Sequence, residues 1–431
     1  MLRNFLIVGG ASAYAPGLVS SLIRESHRHD LELIRLFDIA EERLDIVARL
    51  CRRLSEAAGK PFRVEATTDQ ARAVEEIDIL LNSSRPGGFE CRQIDETLPL
   101  EFDIPGQETV GPGGFFFACR SIPAALELAD HVARKSPEAI WLNYTNPTNI
   151  VGQALHDHTD LNVISLCDQF DEDLHALADA LGFPKNTDYQ LRCSGLNHAT
   201  WYRDIRISGE AIGERAYDAQ PPEYYDEEHK RRFLISAEMA RSHDGIWPNS
   251  YLPYYEAPSQ FVELAKQRGT RTEAILQGLN DYYKHFREEA EKSSPELKHY
   301  RGSSGFGDMA ADVIAALSSD EPTELVLNIP NRGLNDEFDD ATVVEAFVSV
   351  SRAGVQRNSA PPIPEKARPL LDQLEIYQRR SAQAAAGGDR DEMVRALAEN
   401  PLVDDSSTAG QLLRRADDAY GGALPQFSTN L

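Results

Sequence analysis

Cysteine is scarce in this sequence, lysine is scarcer than arginine, and long apolar runs are missing; each shortage removes a class of protein. The five cysteines stand at positions 51, 91, 119, 167 and 193. An odd number without a close Cys-x-x-Cys pair builds neither a disulfide framework nor a closed zinc site, so reduced thiols are expected. The apolar opening run, residues 5–8, is far too short for the hydrophobic region of a signal peptide, and no later stretch approaches a membrane span. A cytoplasmic protein is expected. Positive charge is also in deficit: 44 Lys and Arg face 69 Asp and Glu, a formal net charge of -25 with a pI near 4.9. A field of that sign repels phosphate chains and anionic lipid, so neither nucleic acid nor a membrane is expected as a partner.

Apolar material is ample. At 431 residues, 42% of them hydrophobic, the chain exceeds one ordinary core and predicts two lobes with a large shared interface. Short apolar runs at residues 5–8, 33–37, 77–81, 139–143 and 162–166 alternate with helical patterns from about 17, over 41–56 and over 118–134, and with a short helix after Pro147. That alternation predicts βαβ units and a Rossmann-type, doubly wound parallel sheet, an NAD-binding domain over residues 1–190. Residues 191–431 read as an α+β lobe for substrate and oligomerisation: an antiparallel element over 191–208, an acidic helix over 223–242, strands at 325–329 and 342–350, a proline-rich connector and a last helix ending near 415.

The first strand runs into Gly9-Gly10-Ala11-Ser12-Ala13-Tyr14, an imperfect GxGxxG turn without its third glycine. On its own it is weak, since a phosphate-free turn has the same residues. Its position strengthens it: it opens a helix whose N-terminus can face a pyrophosphate, and Asp38 ends the second strand, where a carboxylate bonds the ribose and selects NAD over NADP. Three further features fall at strand ends, where ligands of open α/β sheets bind: Asn82-Ser-Ser-Arg85, Asn143-Tyr-Thr-Asn146-Pro and Cys167-Asp168-Gln169. Each has a plain structural explanation as a turn, a loop arginine or a buried thiol. Their convergence on one edge is what points to a site. His198 follows in Asn197-His198-Ala; alone it reads as a core or hairpin residue, and paired with Cys167 it is a candidate two-ligand metal site that would leave coordination positions for substrate and water.

Together these residues resemble glycoside hydrolase family 4, NAD-dependent glycosidases outside the two-carboxylate mechanism. The likeness covers nearly the whole chain: the Gly9-Gly10 turn, Arg85-Pro-Gly-Gly, Gly106-Gln-Glu-Thr-Val-Gly-Pro, Arg120-Ser-Ile-Pro, Thr145-Asn146-Pro, Cys167 with Asn197-His198, Pro248-Asn-Ser-Tyr251-Leu-Pro-Tyr-Tyr, Arg301-Gly and Asn328-Ile-Pro-Asn. The resemblance implies NAD and a divalent metal, usually manganese, held by Cys167 and His198 against the sugar's O2 and O3. It implies hydride removal at C3, loss of the C2 proton, elimination of the leaving group and return of the hydride after water adds. Asn146 and Arg85 match the family's substrate-contacting residues, and Arg301 joins Arg85, Arg92 and Arg120 as a candidate for a sugar 6-phosphate. Tyr251 matches the family's base, with Tyr254 and Tyr255 competing. Asp168 is the implied general acid, as in members acting on α-linked phosphoglucosides.

The continuation Gln169-Phe170 departs from the apolar-proline pattern of phospho-glycosidases. The sugar, its linkage and its phosphorylation therefore stay open at this level, and a homodimer or homotetramer is expected from the family. The competing reading is a lactate- or malate-type 2-hydroxyacid dehydrogenase, which shares the nucleotide domain and an Asn-Pro turn but has no use for Cys167 with His198.

Overall fold

The computed structural model describes residues 2–184, 187–298, 306–421 and 424. Strands β1 (Asn4–Val8), β2 (Leu33–Phe37), β3 (Arg63–Thr67), β4 (Ile79–Asn82), β5 (Ile140–Asn143) and β6 (Asn162–Ser165) pair in parallel in the order β3-β2-β1-β4-β5-β6. Helices cover both faces of such a sheet, so its inner strands are apolar throughout: Phe5, Leu6 and Ile7 of β1 and Ile79, Leu80 and Leu81 of β4 are buried. The order reverses between β1 and β4. That switch point opens the crevice in which doubly wound sheets bind ligands.

The sheet continues past β6. Strand β11 (Thr323–Pro330) joins β6 antiparallel through the single pair Asn328 and Ser165. Beyond it come β12 (Val343–Ser351), β7 (Tyr189–Leu196), β8 (Ala199–Ile207) and β10 (Trp247–Pro248), all antiparallel, with β9 (Glu210–Ala211) on β8 and β13 (Gly354–Arg357) on β12. The late strands thereby reach the rim where β6 ends.

Two elements differ from the sequence expectation. Strand β3 is absent from the periodicity reading because Arg-Val-Glu-Ala-Thr is an edge strand with one buried residue, Val64. The helix expected from 118 begins at Gly111 and runs to Lys135. Glycines normally weaken a helix, yet here they permit contact: a Cβ on Gly113 would lie 2.4 Å from the Asp95 and Gln107 carbonyl oxygens, and one on Gly114 2.5 Å from that of Thr109. The helix start is thus pressed against the loop carrying Gln107, Glu108 and Thr109. Helices Arg368–Gly387, Arg390–Ala398 and Ser406–Tyr420 pack in series over Gly111–Lys135. No helix among the described residues is long and apolar enough to cross a membrane.

Candidate active site

Gly9 and Gly10 both donate their N–H to the Phe37 carbonyl, at 3.0 and 2.9 Å. Gly9 has φ +85, and a Cβ on Gly10 would stand 2.8 Å from Leu36 Cβ, so the turn folds against β2 only with glycine. Asp38 closes the arrangement, accepting the Ala11 N–H at 3.1 Å and the Ala40 N–H at 3.0 Å. Ser12 donates its N–H to the Gly9 carbonyl and its hydroxyl oxygen accepts the Tyr14 N–H. Tyr14 precedes helix Ala15–Arg24 without a side-chain cap, and Ala13 is buried beneath the turn. Tyr283, from the second half of the chain, holds the turn from outside by donating to the Ala11 carbonyl at 2.8 Å.

At the ends of β4 and β5 the polar side chains divide between scaffold and site. Asn143 is fully buried and bonds the Thr145 and Thr148 carbonyls. Asn146, before a cis peptide bond to Pro147, accepts the Thr148 N–H and hydroxyl on its carbonyl oxygen, leaving its amide nitrogen without a bond among the described residues. Arg120 is a structural residue: it forms two bonds of 2.9 and 2.5 Å to the buried Asp95, which also accepts from Tyr420. Arg92 is likewise committed, to Glu96 at 2.8 Å and Glu108 at 3.1 Å. Arg85 is paired with Glu108 at 2.5 Å over the Phe117 ring. Arg301 lies outside the described residues.

Strands β7 and β8 form a hairpin whose tip is Asn197-His198, and His198 has φ +64, an uncommon conformation for a non-glycine residue. It carries the imidazole over the end of β6, where Nε2 lies 3.5 Å from Cys167 Sγ. The ring's orientation is set from the Gln107-Glu108-Thr109 loop. Thr109 donates its hydroxyl to Gln107 Oε1 at 2.8 Å, so its oxygen accepts from His198 Nδ1 at 3.2 Å. Nδ1 therefore bears the hydrogen and Nε2 offers its lone pair towards the sulfur. Burial, and after it the Arg232 charge, hold the imidazole neutral, with a pKa lowered to about 3.

Tyr251 lies flat on His198, ring centroids 3.8 Å apart and planes at 6°. Its other neighbour is Arg232, whose guanidinium carbon stands 4.4 Å from the ring centroid. Arg232 is buried and has no carboxylate within ion-pair distance among the described residues; it is held by the Ser250 carbonyl and hydroxyl. Sequence reasoning missed it, because an arginine within Glu-Glu-His-Lys-Arg-Arg reads as solvated helix. Ser250 is also fixed by Asp173, which accepts its N–H at 3.1 Å, and by Gln169 at 3.1 Å. The unusual Gln169 thus positions the tyrosine loop. The Tyr251 hydroxyl has no hydrogen bond among the described residues, whereas Tyr254 is engaged by Glu228 and Tyr255 lines a pocket with Tyr377, Thr109 and His198. Asp168 occupies the N-cap of helix Gln169–Ala180 without capping it, so its carboxyl is not consumed by the backbone. Burial, and then Glu172, raise its pKa to about 6.

Comparison with known proteins bears directly on this arrangement. The sequence profile described as Family 4 glycosyl hydrolase matches residues 4–182, and that of the family's C-terminal domain matches residues 193–403. The chain belongs to family 4 of the glycosyl hydrolases. It is 28% identical, over 98% of both chains, to a probable 6-phospho-beta-glucosidase of Bacillus subtilis (strain 168). Its fold matches a 6-phospho-alpha-glucosidase from gut microorganisms, solved with NAD and Mn2+, with a TM-score of 0.90 at 24% identity over 98% of this chain and 99% of that one. A malate dehydrogenase of Plasmodium falciparum shares the fold more distantly, with a TM-score of 0.55 at 11% identity over 90% of this chain and 100% of that one. This family 4 enzyme is a glycosidase, and the hydroxyacid dehydrogenase reading falls.

The glycosidase has residues suited to both groups its family implies. A thiol sulfur and a neutral imidazole nitrogen 3.5 Å apart can occupy neighbouring positions on one divalent ion. The hydrogen bond that His198 Nδ1 donates to Thr109 Oγ1 gives His198 the tautomer a ligand needs. For the dinucleotide, the side-chain-free turn at Gly9 and Gly10, the uncapped helix behind it and Asp38 at the end of β2 form one concave edge.

Proposed function

We propose that this glycosidase cleaves its substrate through transient oxidation of the sugar, on the strength of one observation: Cys167 and His198, 3.5 Å apart, sit between an uncommitted carboxyl, Asp168, and an unbonded phenol, Tyr251. Bound NAD supplies reversible oxidation at C3, and a bound manganese or similar divalent ion supplies positive charge at O2 and O3, which together acidify the C2 proton. Tyr251, as its phenolate, takes that proton and becomes the phenol. Asp168, whose raised pKa keeps a fraction protonated near neutral pH, gives one to the departing glycosidic oxygen. The amide nitrogen of Asn146 and the guanidinium of Arg85 hold the sugar hydroxyls. Gly9, Gly10, Ser12, Ala13, Tyr14 and Asp38 bind the dinucleotide.

The proposed substrate is a 6-phosphoglucoside, the class for which the relatives of both linkages are named. Arg85 and Arg92 are offset by Glu96 and Glu108, so they do not provide the excess positive charge that a phosphate dianion needs. Of the four arginine candidates, that leaves Arg301. The enzyme is further proposed to be cytoplasmic and a homodimer or homotetramer. The test is a panel of α- and β-linked nitrophenyl glucosides, with and without 6-phosphate, assayed with NAD, manganese and reductant. Hydrolysis without net NADH, with deuterium entering C2 from heavy water, is expected; net NADH without cleavage would sink the mechanism.

Two variants probe individual roles. Asp168→Asn should lose about a hundredfold or more in kcat/KM on substrates with poor leaving groups and little on nitrophenyl ones. Equal loss on both removes Asp168 as the acid. Thr109→Val keeps shape but releases the His198 tautomer, and manganese affinity should fall by about tenfold in a calorimetric titration. An unchanged affinity would show that Nδ1 is oriented by something else.

A further inference from the structure

We propose that Glu345, on β12, is a positioning residue for the metal site: its carboxyl fixes the Asn197 amide and ties the hairpin that carries His198 to the strand seam beside Cys167. The proposal rests on Cys167 and His198 being the metal ligands. Glu345 is 2% exposed and has no cationic partner among the described residues. Its neighbours are all neutral: Asn197 Nδ2 at 2.9 Å and Asn328 Nδ2 at 3.1 Å donate to Oε1, and Thr200 Oγ1 lies 2.5 Å from Oε2. Asn197 precedes His198 and Thr200 is two residues beyond it, while Asn328 pairs with Ser165, two residues before Cys167. One carboxyl therefore ties the hairpin on both sides of His198 to the strand seam beside Cys167. The Asn328-Ile-Pro-Asn motif gains a role in this tie.

The two ends of an asparagine amide have nearly the same shape, so their orientation is decided by what they meet. Asn197 and Asn328 both donate to Glu345 Oε1. The amide oxygens of Asn197 and Asn328 are left buried without a partner among the described residues. Buried orphan acceptors are normally avoided, yet a flip of either amide is prevented by the acceptor Oε1 of Glu345, because a flipped amide would set oxygen against oxygen there.

A hydrogen count assigns the state of the carboxyl. Thr200 Oγ1 lies 2.8 Å from the Leu196 carbonyl and 2.5 Å from Glu345 Oε2, and it owns one hydrogen. Both contacts are hydrogen bonds only if Thr200 donates to Leu196 and Glu345 Oε2 carries its own proton. A neutral acid also suits a buried position without a counter-charge. Glutamine reproduces that state, with a carbonyl oxygen for Oε1 and an amide donor towards Thr200.

The test compares Glu345→Met and Glu345→Gln with the wild-type, NAD-loaded enzyme. Manganese affinity is measured by calorimetry, and the thiolate charge-transfer band of the cobalt-substituted protein provides a second readout. Glu345→Met is expected to lose roughly ten- to a hundredfold in manganese affinity and to weaken the cobalt band, with NAD affinity unchanged. Glu345→Gln is expected to restore both. Wild-type affinity in Glu345→Met overturns the positioning role, and a Glu345→Gln as weak as Glu345→Met overturns the neutral acid. If Glu345→Met does not fold, Asn197→Ala takes its place, and unchanged metal affinity there overturns the proposal. A wild-type protein lacking the cobalt–thiolate band indicts the ligand assignment instead.

Discussion

Cys167→Ser is expected to lower metal-supported turnover by roughly a thousandfold or more, while NAD affinity stays within about twofold of wild type. The size follows from what leaves with the sulfur: a Lewis acid supplies several kcal/mol of charge stabilisation, and each 1.4 kcal/mol is tenfold in rate. The selectivity follows from place. Cys167 stands after β6, whereas the glycine turn is built on β1 and β2 and is held by Phe37, Asp38 and Tyr283. Serine fits the space of the thiol but is a far poorer partner for the ion once its hydroxyl remains protonated. Turnover measured across a manganese titration, beside NAD binding by fluorescence, checks both halves. Retained turnover without metal disproves Cys167 as a ligand, and loss of NAD binding would show that the substitution disturbed the sheet.

The same sulfur predicts sensitivity to oxidation. Burial raises all five thiols, Cys167 included, so what sets Cys167 apart is its place: oxidation there removes a proposed metal ligand. Peroxide inactivation should therefore follow Cys167 alone and should be blocked by bound metal.

Much of this site was legible before the fold, and the reason is local. A strand end followed by Asn-Pro or Cys-Asp is set by a few neighbouring residues, and the parallel half of the sheet places such ends along one edge by its topology. Cys167 and His198 also come together as expected, because a strand end and a hairpin tip are both visible as breaks in an apolar pattern. What stayed hidden depends on contacts between distant segments. Arg232 looks like any helical arginine until Ser250 and Tyr251 are seen packed on it. Glu345 looks like a surface residue within an alternating strand, yet Asn197 and Thr200 of the β7–β8 hairpin and Asn328 of β11 surround it. Helix Gly111–Lys135 was shortened in the sequence reading because its glycines resemble a loop; they are there to let the Gln107-Glu108-Thr109 backbone approach. Arg120 shows the reverse error, a motif arginine that the fold spends on a buried pair with Asp95.

Tyr251→Phe should cut kcat by about a hundred- to ten-thousandfold, the usual worth of a positioned base, and leave stability almost untouched. The second half of that expectation is structural. The hydroxyl has no bond among the described residues, so its removal strands no buried partner, and the stack on His198 and the contact with Arg232 belong to the ring. Burial pushes the Tyr251 phenol above its ordinary value, with Arg232 opposing the rise. A buried arginine with no carboxylate within ion-pair distance among the described residues is a suitable neighbour for the phenolate that takes the C2 proton, because its positive charge steadies the negative ring oxygen before the reaction begins. Loss of the base also has a signature that loss of binding lacks. In Tyr251→Phe the exchange of the C2 hydrogen with heavy water should slow in step with hydrolysis, and the isotope effect of a C2-deuterated substrate should approach its full value as proton removal becomes limiting. If exchange continues at the wild-type rate, another group removes the proton. Tyr254→Phe and Tyr255→Phe serve as the comparison: Tyr254 is engaged by Glu228, the ring stacked on His198 is that of Tyr251, and a loss in either variant that exceeds that of Tyr251→Phe would transfer the role.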